Sequence, residues 1–201
     1  ASMATPTHAV QLQHEITTHL GQTPSSRVEL AKAYLKAGET SQFFAISNEL
    51  LEKNQLPHHQ RIQLLELRGN EYWKQGKNES ATEAFQTVLD SKLTPNSKRL
   101  QWIRLWALKQ SKPTEQFIRN FLAGNVPTPA AIVRLKDSID RIPNDSTPSY
   151  LLARQLHRSG AYRDAIEFLE PSLDHPNSEI AAESLRLVAN CYWKLSEPKQ
   201  A

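Results

Sequence analysis

Cysteine occurs once in the 201 residues, at Cys191, which excludes an internal disulfide framework and any cysteine-based zinc module. Glycine is also scarce, with six residues in the chain, and none of them sits in a phosphate-cradling loop or a nucleophile elbow. No run approaches the roughly 18 consecutive apolar residues that a membrane helix needs. Neither sign of charge dominates: 24 Lys and Arg face 21 Asp and Glu, a surplus of +3, with an isoelectric point near 9.0. That surplus is too small to point to nucleic acid by itself. Charged residues at 22% and hydrophobic residues at 39% exclude a disordered polyelectrolyte as well as a membrane protein. A basic segment followed by an apolar stretch is missing from the start, so no secretory signal is read there. Residues 1–6 read as a tag-like start. With Met3 as the native first residue the expected compartment is the cytoplasm; a leader removed before it would leave the periplasm open.

Proline, by contrast, is plentiful and evenly spaced. Pro24, Pro57, Pro95, Pro113, Pro127, Pro129, Pro143, Pro148, Pro176 and Pro198 separate segments whose apolar residues recur at steps of three and four. Leu64, Leu65, Leu67 and Tyr72 show this spacing, as do Leu151, Leu152 and Leu156, and Leu185, Val188 and Tyr192. Sustained period-two alternation is absent, so the expected class is all-α. The helices pair about turn residues Gly38, Gly76, Ser111, Gly160 and Ser196, separated by 38, 35, 49 and 36 residues. The long interval holds one inserted helix, Pro129–Ile142, with Ile132, Leu135 and Ile139 on one face. A period in the mid-thirties with two helices per unit is the signature of a helical solenoid.

The stretch Leu65, Gly69, Tyr72, Gly76, Ala81, Phe85, Pro95 resembles the tetratricopeptide repeat, with Arg68 where a Leu is usual. Tyr150 to Pro176 matches through Leu152-Ala153, Leu156, Gly160, Ala165 and Leu169. Leu185 to Ala201 matches through Val188-Ala189 and Tyr192. The unit Val28 to Leu51 keeps Ala31, Tyr34 and Gly38 but has Phe43 at a small position, and Leu100 to Ala123 is degenerate, with Trp102, Trp106 and Phe117. The resemblance implies a right-handed α-α superhelix of about five helix pairs and one inserted helix. Its units lie near 24–57, 62–95, 97–126, 146–176 and 180–201, within one solenoid over 7–201. His8–Leu20 is expected as an N-terminal cap helix. Ala201 is the small position of a second helix that has barely begun, so either the array continues or the last helix caps it.

Metal and catalytic readings are weak. His14 and His19 are five residues apart, about 140° around a helix, where a zinc-protease helix needs four. His58-His59 is expected in a loop after Pro57, and His175 in a turn before Pro176 needs no role. Cys191 beside Tyr192 is expected to be a buried thiol. No enzyme activity, cofactor or metal is expected.

In tetratricopeptide arrays the first helix of each pair lines the concave face, so the resemblance implies a partner-binding groove. Its residues are Lys32, Lys36, Asn70, Trp73, Lys74, Arg154, His157, Arg158, Arg186, Asn190, Trp193 and Lys194, with Glu66, Gln101, Leu105, Lys109 and Tyr150 at matching positions. The run Asn-x-Tyr-Trp-Lys occurs at both Asn70–Lys74 and Asn190–Lys194. Such a groove suits a protein or peptide with acidic groups, because Arg and Lys supply charge-assisted hydrogen bonds and Trp supplies area. The competing reading buries Trp73 and Trp193 between helices and solvates the cations. The carboxylate clamp of the chaperone-binding subfamily is only partly matched, by Arg186 and Asn190, while Glu66 stands where a Lys is needed. The expected function is a non-enzymatic interaction scaffold or adaptor. Self-association through Trp102, Trp106, Phe117 and Phe121 is the alternative, although those aromatics also suit a core; nucleic-acid binding is a distant third.

Overall fold

A computed structural model describes residues 23–196 together with Gln11, Glu15 and Thr18. Of the expected cap helix over His8–Leu20, those three residues are helical and exposed; His14, His19, residues 1–6 and Ala201 lie outside the described residues. Among the described residues there are ten α-helices and no strand. None of these helices is long and apolar enough to cross a membrane. The chain forms two compact units, one ending at Ser91 and one beginning at Lys92, and within each the helices pack largely on their sequence neighbours.

The first unit holds α1 (Pro24–Lys36), α2 (Thr40–Glu52), α3 (His58–Lys74) and α4 (Asn78–Leu89). Pro24 sits in the first turn of α1, where its missing N–H costs nothing, and the preceding Thr23 caps the helix by accepting the Ser26 N–H at 3.1 Å. The same Thr-Pro start recurs at Thr94-Pro95, where Thr94 accepts the Ser97 N–H at 3.3 Å. His58 and His59, expected in a loop, are instead the first two residues of α3, because Pro57 stands as its cap rather than as a breaker.

The pairs α1–α2 and α3–α4 turn on glycines in the left-handed region, Gly38 at φ 82° and Gly76 at φ 72°. Each closes its helix in the same way. Glu39 N–H reaches the Tyr34 carbonyl and Lys77 N–H the Tyr72 carbonyl, both at 2.9 Å, and the next helix starts one residue later.

Packing explains the departures from the repeat pattern. Phe43 is fully buried in a core with Val28, Ala31, Leu50 and Leu64, where Ala31 is the small member. Arg68 ties α3 to α2. Its guanidinium donates to Ser47 Oγ at 3.1 Å, to Asn48 and to the Tyr72 hydroxyl at 2.9 Å, and lies 5.6–5.7 Å from the stacked rings of Phe44 and Tyr72. Gly69 is small for a direct reason. A Cβ there would stand 2.5 Å from Phe85 Cε1 and 2.7 Å from Cδ1, and the Phe85 ring is itself fully buried.

The second unit holds α5 (Pro95–Leu108), α6 (Lys112–Leu122), α7 (Thr128–Arg141), α8 (Thr147–Arg158), α9 (Tyr162–Leu169) and α10 (Ser178–Lys194), with a 3-10 turn at Glu170–Ser172. The α8–α9 hinge repeats the geometry of the first unit: Gly160 has φ 83° and Ala161 N–H reaches the Leu156 carbonyl at 3.0 Å. Ser196 takes the same conformation at φ 61°. Ser111 does not. It is the cap of α6 at φ −59°, and the left-handed residue of that pair is Gly124, after α6. The inserted helix α7 ends at Arg141, with Ile142 as its cap, and buries Ala131, Leu135 and Ser138, while Ile132 and Ile139 flank that face half-buried.

Side-chain bonds tie this unit together. Asp145 accepts the Trp106 indole N–H and, at 2.9 Å, the Thr147 backbone N–H, joining α5 to the start of α8. Trp102 meets His175 edge-on with centroids 4.9 Å apart. Ser184 Oγ donates to Ser172 Oγ at 3.0 Å. Of the aromatics offered for self-association, Trp106 is buried, and Trp102, Phe117 and Phe121 are half-buried. Cys191 is fully buried, and burial pushes its thiol pKa up.

His175, given no role by the sequence, is a buried joint. Its Nδ1 accepts the Asn177 N–H at 2.9 Å, which leaves the proton on Nε2 to be donated to Thr147 Oγ1 at 3.1 Å. Burial lowers its pKa, against the opposing pull of the Asp145 charge.

Two predictions follow from these contacts. Gly69→Ala gains about 1 kcal/mol in helix propensity, but overpacking of a closed core costs about 1–3 kcal/mol, so the variant is less stable. In a Phe85→Leu background the same Gly69→Ala change becomes neutral or stabilising in urea denaturation; an equal loss in both backgrounds contradicts the contact. The second concerns pH. A His with a lowered folded pKa binds more protons unfolded than folded, so its contribution is complete above the ordinary value near 6.5 and is lost as pH falls below it. The melting temperature should drop between pH 7.5 and 5.5, and His175→Gln should flatten that slope; an unchanged slope would assign it to other groups.

Candidate functional site

In the second unit a cleft of about 410 Å³ lies between α5, the end of α6, the start of α7 and α8. Its apolar wall includes Leu100, Ile103 and Leu151, and its polar wall carries Arg99, Arg154 and Arg158 with Asn96 and Gln155. The three arginines are in different states. Arg99, 7% exposed, donates to Asn96 Oδ1 at 2.6 Å and lies 3.5 Å from the buried carboxylate of Glu183. Glu183 is held from the other side by Arg186, through two bonds of 2.7 Å. Burial alone would raise the Glu183 pKa, but the Arg186 bonds and the charges of Arg99, Arg186 and Arg154 outweigh it and hold the carboxyl below its usual range. Arg99 and Arg186 therefore share the Glu183 carboxylate.

Arg154 and Arg158 make no direct bond to that carboxylate. Neither forms an ion pair among the described residues, and the positions four apart on α8 bring both to one side of that helix. The Arg154 guanidinium lies 5.7 Å from the centre of the Tyr150 ring. Tyr150 is wholly buried, which raises its pKa and keeps the phenol protonated. Gln155 donates to Thr128 Oγ1 at 3.0 Å, fixing the start of α7 at the mouth of the cleft. The result is a cleft of mixed polar and apolar lining with two guanidinium groups that no carboxylate contacts directly among the described residues, suited to a ligand that brings carboxylates together with apolar side chains.

The other sequence-derived residues are placed differently. His157 bonds Asn190 at 2.7 Å and meets the Tyr162 ring edge-on at 5.5 Å, so both side chains join α8 to its neighbours. Arg186 is committed to Glu183. Trp193 is 68% exposed and Lys194 is exposed beside it. In the first unit Lys32 pairs with Glu29 at 2.6 Å and Lys74 with Glu71 at 3.3 Å, Lys36 lies in the last turn of α1, and Asn70 is half-buried on α3. Trp73 is 3% exposed and packs edge-on against Phe85 at 6.0 Å, so it belongs to the core rather than to a contact surface.

Gln101, Leu105 and Tyr150 are likewise buried rather than outward-facing. For Tyr150 the reason is that α8 is flanked by α7, α9 and α10, so all seven residues from Thr147 to Ala153 are buried. The sequence reading missed Arg99, Asn96 and Gln155. For Arg99 the partner is Glu183 on another helix, a pairing without a local signal.

Among the described residues, no group of three or more His, Cys, Asp or Glu side chains is placed to hold a metal ion. The sequence matches no protein-family model and no curated relative. The likeness to a repeat family therefore rests on the residues and the hinge geometry themselves.

Proposed function

We propose that the protein is a non-enzymatic interaction module, assembled from tetratricopeptide-like helix pairs, that binds an acidic peptide segment of a partner protein in the arginine-lined cleft of its second unit. The observation that carries this reading is the contrast within one cleft: Arg99 pairs with the Glu183 carboxylate, whereas Arg154 and Arg158 form no ion pair among the described residues beside the half-buried Leu100, Phe121, Leu122 and Val126. Guanidinium groups bind carboxylates through paired, directional hydrogen bonds, and the apolar part of the lining takes apolar side chains of the same segment. Two features support the repeat-family part. The turns at Gly38, Gly76 and Gly160 share one geometry, and small residues Gly69 and Ala153 stand at the same place seven residues before two of them.

The test is fluorescence anisotropy of a labelled peptide that alternates Glu with Leu, against the same peptide with Gln for Glu. The Glu peptide should bind more tightly, and Arg154→Glu with Arg158→Glu should weaken it by more than about tenfold while the helical circular dichroism stays unchanged. Equal binding by parent and variant would remove the cleft from the function. Tighter binding to single-stranded DNA, with a steep loss of affinity as salt rises, would reassign the arginines to phosphate contacts.

A further inference from the structure

The Glu183 carboxylate is shared unequally between its two arginines. Arg186 takes both oxygens, through bonds of 2.7 Å, whereas the Arg99 guanidinium stays 3.5 Å away, beyond the ordinary hydrogen-bond range. Among the described residues Arg99 donates one hydrogen bond, to Asn96, out of the five N–H groups a guanidinium carries. It is nevertheless 7% exposed. A buried guanidinium with most of its donors unspent is costly unless a further acceptor takes them, and Arg99 lines the cleft.

Arg154 and Arg158 line the same cleft from α8, and no described residue of its lining is acidic. The charges of the group do not balance. Four guanidinium groups, those of Arg99, Arg154, Arg158 and Arg186, stand against the one carboxylate of Glu183. The neighbouring Lys98–Glu179 pair, 3.8 Å apart, cancels itself. Tyr150, one turn before Arg154 on α8, is a buried phenol that stays protonated and adds no negative charge.

We propose that the acidic segment taken by this cleft is phosphorylated, and that the phosphoryl group of a phosphoserine or phosphothreonine seats on Arg99, Arg154 and Arg158. The inference rests on the acidic-peptide reading of the same cleft and narrows its ligand. A carboxylate brings one negative charge and two oxygens. A phosphoryl group brings about −1.5 to −2 charges and three acceptor oxygens, one for each guanidinium in the lining. It offsets more of the positive surplus, and it takes the donors that Glu183 leaves free on Arg99. A phosphodiester of a nucleic-acid backbone, with one charge and two free oxygens, matches no better than a carboxylate. Phosphorylation of the partner therefore switches binding on.

Fluorescence anisotropy with three labelled peptides tests this. All alternate Glu with Leu and differ at one central residue: serine, glutamate or phosphoserine. The phosphoserine peptide should bind about tenfold or more tightly than the glutamate peptide. Arg99→Gln leaves Glu183 with Arg186 and should erase most of that advantage while the glutamate peptide still binds. Circular dichroism reads whether this variant keeps its helicity. Arg158→Gln, at an exposed position, should narrow the same advantage without disturbing the fold. Equal binding of the phosphoserine and glutamate peptides would overturn the inference and leave the acidic-peptide reading in place. Failure of all three peptides to bind would remove both. An advantage undiminished in both variants, or tighter binding of single-stranded DNA than of the phosphoserine peptide, would also overturn it.

Discussion

Two helices joined by a short turn can bury their apolar faces only if their axes come close, and the α3–α4 pair shows where the limit lies. At the point of closest approach the first helix carries no side chain at all: the Phe85 ring occupies the space a Cβ of Gly69 would need. Much of the first unit depends on that contact. It brings Phe85 against Trp73, buries Trp73, and places Ala81, Ala84 and Val88 in the same interior. In the second unit the corresponding residues are Ala153 and Leu169, a slightly larger floor under a smaller knob, with both fully buried. The volume is shared differently, and the constraint is the same.

The close approach in turn requires the chain to reverse within two residues, which is why glycine sits where it does. Gly38, Gly76 and Gly160 all have φ between 72° and 83°, a conformation other residues adopt at a cost. Within the units first helices also meet, α1 with α3 and α8 with α10, and the polar residues of the helices decide what is left for a partner. In the second unit most of that polarity is spent internally. Arg99 and Arg186 share the Glu183 carboxylate, and His157 and Asn190 satisfy each other. Arg154 and Arg158 remain without a direct ion pair among the described residues, and that is what makes them the chemically distinctive pair.

Helix class and hinge positions were legible in the sequence because their causes are local. Apolar residues at steps of three and four, Thr-Pro starts and left-handed glycines act within a single turn. The surface was less legible, because exposure depends on what packs against a helix. The duplicated Asn-x-Tyr-Trp-Lys run is the clearest case: the same five-residue pattern buries Trp73 and exposes Trp193, since α4 covers one and no described helix covers the other. Likewise nothing near Arg99 announces Glu183, 84 positions away, and nothing near His175 announces Thr147 or Trp102. Ser111, chosen as a turn by spacing alone, proved to be a helix cap, because α5 and α6 join through a turn of different geometry.

The account rests on the helix pair as a repeated physical unit, and its hinge is the most direct place to test it. No atom lies within 4 Å of a Cβ built on Gly38, Gly76 or Gly160, so replacing each by Ala probes the backbone conformation alone. The measurement is the urea unfolding of these three variants. The account predicts a similar loss for each, of about 1–2 kcal/mol, set by the left-handed φ that the three hinges share. A variant as stable as the parent, or one stabilised as an ordinary helical Gly→Ala change would be, would contradict the claim that one hinge geometry builds the pairs.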